Sequence, residues 1–445
     1  MNRRSFIRTA SLAAAGHAAG LRPFGMMNAF AQGSSDYKAL VCIFLFGGND
    51  ANNTIIPFDT ADYASYAKIR GPLALAQNTL LPLTPLPNYA LNPNLPDIQS
   101  LFNNGKAAIV ANVGTLVQPL TRAQYLASQS LAPSSLFSHP DQQLQWQNYP
   151  QSGATPTGWA GRIADYMTPI YNPNGQVPMV TSCDGDTLFC DGASTSPVAV
   201  IPGSVQAGKC SESSSTCQSR QATAQQILTF ESGVSLVQAD NDITANAYKY
   251  DGILATALQS VTLQTKFPND GALGSQLQQI AQMIKIGPSL GINRQIFFAG
   301  VGNFDTHAAQ LSVQSSLLAM ISPAIGAFYA ATQELGVANQ VTTFTMSDFN
   351  RAYQPNGNNG SDHAWGSNLF VLGGAVKGGK VYGTMPTLAL GGPDDSGSNG
   401  RWVPTTASVQ YAATLASWFG VPAAELANIF PNIGNFPKAN LGFVG

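Results

Sequence analysis

The sequence predicts an α/β protein with a doubly wound, mostly parallel sheet flanked by helices. Apolar residues at helical spacing from Leu277 to Ile284 predict one helix, and residues 312–335 predict another. Each helix precedes an apolar run, and such runs are typical of central strands buried on both faces. The runs lie at residues 37–46, 107–113, 295–301 and 340–346. Strands that alternate with helices predict a parallel α/β sheet.

The remaining segments complete one large domain, which we place at residues 32–445. Residues 384–390 are a candidate for a further strand, and residues 406–419 form an amphipathic pattern that stops at Gly420. Residues 178–265 break the alternation of strands and helices. Their first half is rich in Cys, Ser, Thr and Gly, and their second half has the pattern of two polar helices. We therefore expect an inserted, cysteine-containing cap.

The first 31 residues have the pattern of an export signal. Paired arginines, Arg3 and Arg4, precede an apolar, alanine-rich stretch at residues 10–21, and Ala-Phe-Ala at residues 29–31 resembles a cleavage site. The apolar stretch is shorter than the roughly 18 residues that a membrane span needs. We expect the twin-arginine export machinery to carry the protein to the periplasm or the extracellular space, with no membrane span after the signal is removed.

The composition excludes some classes of partner. The formal net charge is −2, and removal of residues 1–31, which hold four arginines and no acidic residue, makes it four units more negative. Nothing in this balance gives the basic surface that nucleic-acid binding requires. A hydrophobic content of 44% supports a substantial core. The composition is therefore typical of a globular protein without a nucleic-acid partner.

The five cysteines suit an oxidising compartment. Cys42 lies in an apolar strand, where we expect a buried free thiol. The other four fall in a short Gly/Ser-rich stretch, and local pairing would join Cys183 to Cys190 and Cys210 to Cys217. Two other connectivities remain open. A four-cysteine metal site is the alternative, but the C-x₂-C spacing typical of such sites is missing.

Polar clusters follow the predicted strands at their carboxyl ends, where ligands bind in α/β sheets. Asp50 follows the first strand at a Gly-Gly turn, and Asp305 and His307 follow the strand at 295–301. Residues two apart in an extended segment point the same way, so Asp305 and His307 can reach one cation. The alternatives are a turn cap at Asp50 and an Asp–His hydrogen bond that only stabilises the loop.

The fourth predicted strand is followed by a similar group. Asp348 lies just past the strand at 340–346, and Asp362 and His363 lie in a Gly/Asn-rich loop shortly after it. Carboxylates and imidazoles are metal ligands. A surface Asp–His pair is the alternative for Asp362 and His363. Together with Asp50, Asp305 and His307, these residues are our candidate metal ligands.

Ser138 and His139 open a predicted helix, with Pro140 in its first turn. A serine at this position is often only an N-cap. The functional interpretation is a nucleophile at a helix N-terminus, where free N–H groups favour an anion. His139 would assist as a base or a ligand. No G-x-S-x-G elbow is present, which argues against a Ser–His–Asp hydrolase.

The motifs that contain these residues resemble, as a set, the domain of unknown function 1501 family. They are FLFGGNDANN, LFSHPDQQ, GWAGRIAD, NFDTHAAQ, TMSDFNR, GSDHAWG, LGGAVKGGKVYG and RWVPTTASVQYAATLASWFG. They run in order from near residue 40 to near residue 420, after the twin-arginine start. That family is similar in fold to the alkaline phosphatase and sulfatase superfamily, so the resemblance implies an alkaline phosphatase-like fold.

The resemblance also implies roles for residues. Asp50 corresponds to the superfamily's aspartate after the first strand, and Ser138 to its nucleophile. Asp305 and His307 resemble the pair at the second metal, with one intervening residue instead of three, and His363 resembles the last histidine.

One position departs from the superfamily pattern. Phe349, after Asp348, stands where the superfamily has a histidine, so the first metal site lacks a ligand. We expect one or two divalent ions (Ca²⁺, Mg²⁺, Mn²⁺ or Zn²⁺) and no organic cofactor. The carboxylate and amide content favours a hard ion or a single metal, and a metal-free site is the remaining alternative.

Two functions follow from these expectations. The first is an exported metal-dependent hydrolase of phosphate or sulfate esters, with a small-molecule or polymer substrate. In this function Ser138 attacks the ester. A cation bound by Asp305, His307 and His363 stabilises the departing or attacking oxygen. The second is a non-catalytic relative that binds a glycan, a surface polymer or a partner protein through the cysteine-bearing cap.

Overall fold

The computed structural model describes residues 36–149, 157–203, 215–229, 233–269 and 271–445. The chain divides into two units, Met1–Tyr37 and Lys38–Gly445. Of the first unit only Asp36 and Tyr37 are described, so the predicted export signal lies outside the described residues. The second unit contains all the described strands and helices.

The described strands form two sheets. They are β1 (Lys38–Leu45), β2 (Ile55–Pro57), β3 (Leu81–Pro82), β4 (Tyr89–Leu91), β5 (Ala107–Gly114), β6 (Val180–Ser182), β7 (Val198–Ala199), β8 (Arg294–Val301), β9 (Val341–Ser347), β10 (Ser367–Gly373), β11 (Val381–Tyr382) and β12 (Thr406–Ala407). The main sheet has nine strands in the order β11-β5-β10-β9-β1-β8-β6-β7, with β12 also paired to β5. Strands β2, β4 and β3 form a small antiparallel sheet.

Helices connect and flank the strands. The described α-helices are α1 (Thr60–Arg70), α2 (Pro96–Asn103), α3 (Arg122–Ala127), α4 (His139–Asn148), α5 (Trp159–Tyr171), α6 (Ser215–Leu228), α7 (Ser235–Leu258), α8 (Ala272–Ile286), α9 (Gln310–Glu334), α10 (Ser408–Phe419) and α11 (Leu426–Ile429). Apolar Leu277 and Ile280 are buried on α8, as their spacing predicts. Helix α10 ends before Gly420, whose φ of 122° suits glycine.

The main sheet is mostly parallel, as the sequence predicts. Strand β10 runs antiparallel to β9 and β5, and the other pairings are parallel. All four predicted central strands are present as β1, β5, β8 and β9, and nearly all their residues are buried. The prediction of a strand at 384–390 is wrong, because these residues form no strand. The nearby pairing is that of β11, at residues 381–382.

Part of the predicted cap belongs to the main sheet. We expected residues 178–265 to be inserted as a whole, but β6 pairs with β8 and β7 pairs with β6. The polar helices predicted in the second half of this stretch are present as α6 and α7. Only the residues after β7 therefore remain as the candidate inserted cap.

The predicted pairing of Cys183 with Cys190 is wrong, because both are free and buried. Burial raises the pKa of the Cys183 thiol to about 12 and also raises the pKa of Cys190, which keeps both thiols protonated. Cys42 is a buried free thiol, as expected. Cys217 is disulfide-bonded. Its predicted partner, Cys210, lies outside the described residues, so that pairing stays a prediction.

Helix α9 is long and apolar enough to cross a membrane, by length and composition alone. It packs against α2 and α8. Its Ser322 hydroxyl donates to Asp97 Oδ2 (2.9 Å), and its Gln314 amide donates to the backbone oxygen of Asp50 (2.8 Å). These contacts are those of a helix that packs against other helices and loops of the domain.

The sheet topology brings the polar clusters to one edge. Strand β1 lies between β8 and β9 and is parallel to both, with Leu45 in register with Val301 and Ser347. The segments that follow β1, β8 and β9 therefore emerge side by side. Because β10 is antiparallel to β9, the loop between them stays at the same edge, and this loop carries Asp362 and His363.

Gly47, at the end of β1, has a conformation and surroundings that exclude a side chain. Its φ is 108°, and a Cβ would lie 2.4 Å from the backbone nitrogen of Asp305. We expect Gly47→Ala to reduce the free energy of unfolding by roughly 1–3 kcal/mol, measured by urea denaturation. Gly302→Ala is the matched control, since a Cβ there meets nothing within 4 Å. Equal stability of the two variants would contradict this account of the turn.

Candidate metal centre

Three histidines and one aspartate meet at the carboxyl edge of the sheet. The Nε2 atom of His363 lies 3.1 Å from His139 Nε2 and 2.9 Å from His307 Nε2. Asp305 Oδ1 lies 3.4 Å from His139 Nε2, 3.1 Å from His307 Nε2 and 3.3 Å from His363 Nε2. We call His139, Asp305, His307 and His363 the histidine cluster.

The outer nitrogens of two rings fix where the inner lone pairs lie. His363 Nδ1 is 2.7 Å from the carbonyl oxygen of Phe137, which can only accept, so Nδ1 carries the hydrogen. His139 Nδ1 is 2.6 Å from Asp348 Oδ2, and a carboxylate also accepts. In the neutral rings both Nε2 atoms therefore present lone pairs to each other, and the Asp305 carboxylate adds a third acceptor.

Facing acceptors need a positive species between them. Either one ring takes a second proton or a metal ion binds. Tetrahedral zinc with bonds of 2.0–2.1 Å would place its ligand atoms about 3.3 Å apart. The distances among His139, Asp305 and His363 are close to that spacing. Imidazole and carboxylate are both ligands of zinc and similar ions. The residues present thus fit a divalent metal.

Hydrogen bonds to the outer ring atoms hold the imidazoles, as in many metal sites. Asp348 is fully buried and also accepts from Gln143 Nε2 (2.8 Å) and the backbone nitrogen of Gly47 (3.1 Å). The contact of His307 Nδ1 with Asp362 is longer, at 3.4 Å, and both side chains are about half exposed. Asp348 and Asp362 therefore occupy orienting positions, whereas we expected them among the metal ligands.

Arg351 lies beneath Asp305 and is fully buried. Its guanidinium forms an ion pair with the Asp305 carboxylate. Burial alone would raise the pKa of Asp305, but the hydrogen bond and charge of Arg351, helped by His139 and His307, lower it to about 2. Asp305 is therefore ionised at neutral pH and adds a negative charge to the cluster.

The two more buried rings, His139 and His363, differ in the direction in which their pKa is shifted. The hydrogen bond to Asp348 raises the pKa of His139, against the effect of partial burial. Burial lowers the pKa of His363. Of the two, His139 is the ring that more readily takes a proton when no cation is bound.

Phe349 forms one wall of the centre. It is buried, and its ring centroid lies 4.8 Å from that of His139 and 4.6 Å from that of His363. The residue that the resemblance marks as a lost ligand thus packs against two imidazoles.

His363 reaches the centre through a short antiparallel pairing within the β9–β10 loop. Arg351 and His363 form a β-bridge, the Ala352 nitrogen donates to the Asp362 oxygen, and the Ala364 nitrogen donates to the Asn350 oxygen, both at 2.8 Å. The loop therefore folds back on β9 and carries His363 over Phe349.

Asp50 lies in a different group. Its carboxylate accepts hydrogen bonds from Arg70, Gln310 and the backbone nitrogen of Asn52. Arg70 and Asp50 are both buried, so this is a buried ion pair. Gln310 also accepts a hydrogen bond from the Ser361 hydroxyl. Asp50 thus supports the loop that carries His363, and none of its recorded partners belongs to the histidine cluster.

Ser138 is the N-cap residue of α4, as the sequence predicts, but its side chain caps no backbone N–H. Its hydroxyl donates instead to Asp141 Oδ2. His139, the next residue, is in the histidine cluster. The structure therefore places Ser138 beside a candidate ligand with a carboxylate ready to accept its proton.

Arg351 and Gln143 are functional residues that sequence reasoning misses. Arg351 lies in the motif TMSDFNR and Gln143 in LFSHPDQQ, so both are within segments that carry other candidates. Neither spacing nor composition shows that a side chain will be buried under another residue. An arginine soon after a buried strand is the one available signal.

We expect Asp348→Asn to lower the affinity for Zn²⁺ about 10–100-fold, because the amide no longer fixes the His139 ring as a carboxylate does. Asp362→Asn is the matched control and should have a smaller effect, since its contact with His307 is longer and more exposed. Competition titration against a chromophoric chelator measures both affinities. Equal effects of the two substitutions would contradict the assigned roles.

Solved structures give remote similarities. A sulfatase from Pseudoalteromonas sp. (PsFucS1) is 9% identical, with a TM-score of 0.34, and the match covers 96% of this chain and 75% of that chain. A 2-O GAG sulfatase (BT1596) is 11% identical, with a TM-score of 0.32 and coverage of 89% and 74%. A mutant of the alkaline phosphatase PafA is 11% identical, with a TM-score of 0.28 and coverage of 72% and 64%.

No curated protein is significantly similar to this chain in sequence. A family model described as "Protein of unknown function (DUF1501)" matches residues 214–397. The matched segment contains Asp305, His307 and His363 of the histidine cluster and the orienting residues Asp348 and Asp362. This segment of the chain therefore matches the DUF1501 family.

Proposed function

We propose that the protein is an exported metal-dependent hydrolase of phosphate or sulfate esters. The observation that carries the proposal is the convergence of three imidazole nitrogens and one ionised carboxylate, with neighbouring ligand atoms 2.9–3.4 Å apart. The motifs resemble the DUF1501 family, which is similar in fold to the alkaline phosphatase and sulfatase superfamily, and this resemblance supports the choice of ester. The export signal and the location outside the cytoplasm are parts of the proposal that rest on sequence alone.

A borderline ion such as Zn²⁺ fits the centre better than the hard ion that composition favoured. Composition counts every carboxylate and amide, but only Asp305 among the acidic residues joins the three imidazoles. Imidazole-rich sites suit zinc, whereas calcium and magnesium prefer oxygen ligands. When bound, the ion would supply Lewis acidity toward an ester oxygen.

The open side of the centre defines the direction of substrate approach. The side chains of Asp305 and His307 are 47% and 45% exposed, whereas those of His139 and His363 are 23% and 20% exposed. Phe349, which packs against both of the less exposed rings, is buried. An ester that reaches the centre therefore approaches past Asp305 and His307.

Ser138 remains the proposed nucleophile. Its oxygen would attack phosphorus or sulfur, and its proton would pass to Asp141, which already accepts the hydroxyl hydrogen. The alcohol leaves as the ester bond breaks, and water then releases the anion from Ser138. His139 keeps its ring fixed on Asp348 during these steps.

A second candidate function is ligand binding without catalysis. A cavity of about 640 Å³ lies between the β6–β7 region and α7, away from the histidine cluster. Tyr248, Tyr250 and Asp251 line it on the helix side, and Asp186 and Asp191 on the other. Its size is within the range typical of small-molecule sites. In this case the metal would be structural.

Metal content tests the centre itself. We expect natively folded and exported protein to hold one divalent ion per chain by elemental mass spectrometry, and His363→Ala to lose most of it. EDTA should lower the melting temperature of the native protein but not that of the variant. Asp251→Asn, on α7, is the control and should keep its metal. Metal-free native protein with a chelator-insensitive melting temperature would remove the proposal.

Catalysis is tested with aryl phosphate and aryl sulfate substrates at saturating metal. We expect Ser138→Ala and His363→Ala each to lower kcat/KM at least 100-fold, because they remove the nucleophile and a metal ligand. Metal-loaded protein that hydrolyses neither ester would favour the second candidate. Activity that survives His363→Ala would show that the histidine cluster is not the active site.

A further inference from the structure

Arg401 is a half-buried cation without a partner for its guanidinium. Its Nε atom is buried and makes no hydrogen bond. Its backbone is held, since the nitrogen donates to Asp395 Oδ1 (3.1 Å) and the oxygen accepts from Ser396. No carboxylate or carbonyl among the described residues pairs with the side chain. Buried donors are nearly always satisfied, so an exception marks a place where a ligand from outside the chain can bind.

The guanidinium lies over Phe137, which contacts the histidine cluster through His363. The Arg401 Cζ atom is 4.6 Å from the centroid of the Phe137 ring. The carbonyl oxygen of Phe137 accepts from His363 Nδ1 (2.7 Å), and Phe137 is followed in the chain by Ser138 and His139. One residue thus links Arg401 to a candidate metal ligand and to the proposed nucleophile.

With its Cζ atom over the Phe137 ring, the guanidinium has N–H groups that no acceptor among the described residues takes. Such a planar, doubly donating group matches two oxygens of a phosphate or sulfate. Arg351, the other arginine of the centre, is fully buried and its donors are taken by Asp305 and by backbone oxygens. Arg351 therefore has no role in contacting an anionic substrate, and Arg401 is available for it.

We propose that Arg401 binds the non-bridging oxygens of the phosphate or sulfate group beside the metal centre. The inference rests on the proposed function and names the residue that makes the site selective for anionic esters. Neutral carboxylic esters, which lack a charged oxygen, gain nothing from this contact.

Anion binding tests the inference without turnover. Isothermal titration of the zinc-loaded full-length protein with inorganic phosphate and sulfate should give a Kd that rises at least tenfold in Arg401→Gln, with partial recovery in Arg401→Lys. Arg220→Gln, an exposed position on α6 with the same charge change, is the matched control and should leave Kd unchanged. Equal zinc content and melting temperature in all variants would exclude a structural effect of Arg401.

Each outcome decides the inference separately from the function. A Kd in Arg401→Gln within twofold of the native value, or no anion binding by the native protein, overturns the role of Arg401. If ester hydrolysis is nevertheless lost in His363→Ala, the proposed hydrolase stands and only the anion contact is wrong. With aryl esters we expect Arg401→Gln to raise KM more than it lowers kcat, because the contact is also made by the bound substrate.

Discussion

The buried guanidinium of Arg351 is the interaction on which the centre depends. It donates to the backbone oxygens of Gly47, Gly48, Phe304 and Ser361 and to the carboxylate of Asp305. These groups come from the segments after β1 and β8 and from the β9–β10 loop. One side chain therefore ties together all three polar clusters. Its loss would leave buried carbonyls without donors and a carboxylate without a counter-ion, which is strongly destabilising.

The same arrangement explains why the histidine cluster favours a bound cation. Arg351 keeps Asp305 ionised, Asp348 holds His139, and the Phe137 carbonyl holds His363. Each support turns a lone pair or a negative charge toward the same point. The folded chain thus pre-organises acceptors at an energetic cost that a metal ion would offset. Asp50, held by Arg70, contributes only through Gln310 and Ser361 to the loop above.

Local patterns predicted much of the fold. The central strands, the helices around Leu277 and at residues 406–419, and the Ser138 N-cap position follow from periodicity and capping, which act over a few residues. The strand at 384–390 and the Cys183–Cys190 disulfide were wrong. An apolar run and a short cysteine spacing do not say whether a paired edge or a suitable geometry exists. Strand β10 was not predicted from the sequence.

The sequence by itself determined which residues follow the strands, and the pairing of Asp305 with His307 needed only the two-residue repeat of an extended segment. Only the tertiary structure decided which candidates share a centre. His139 and His363 meet although 224 residues separate them, and Asp348 turns to the outer side of a ring while Asp50 turns to Arg70. Convergence depends on the order of strands in the sheet and on buried partners. Those are non-local properties, and spacing along the chain does not encode them.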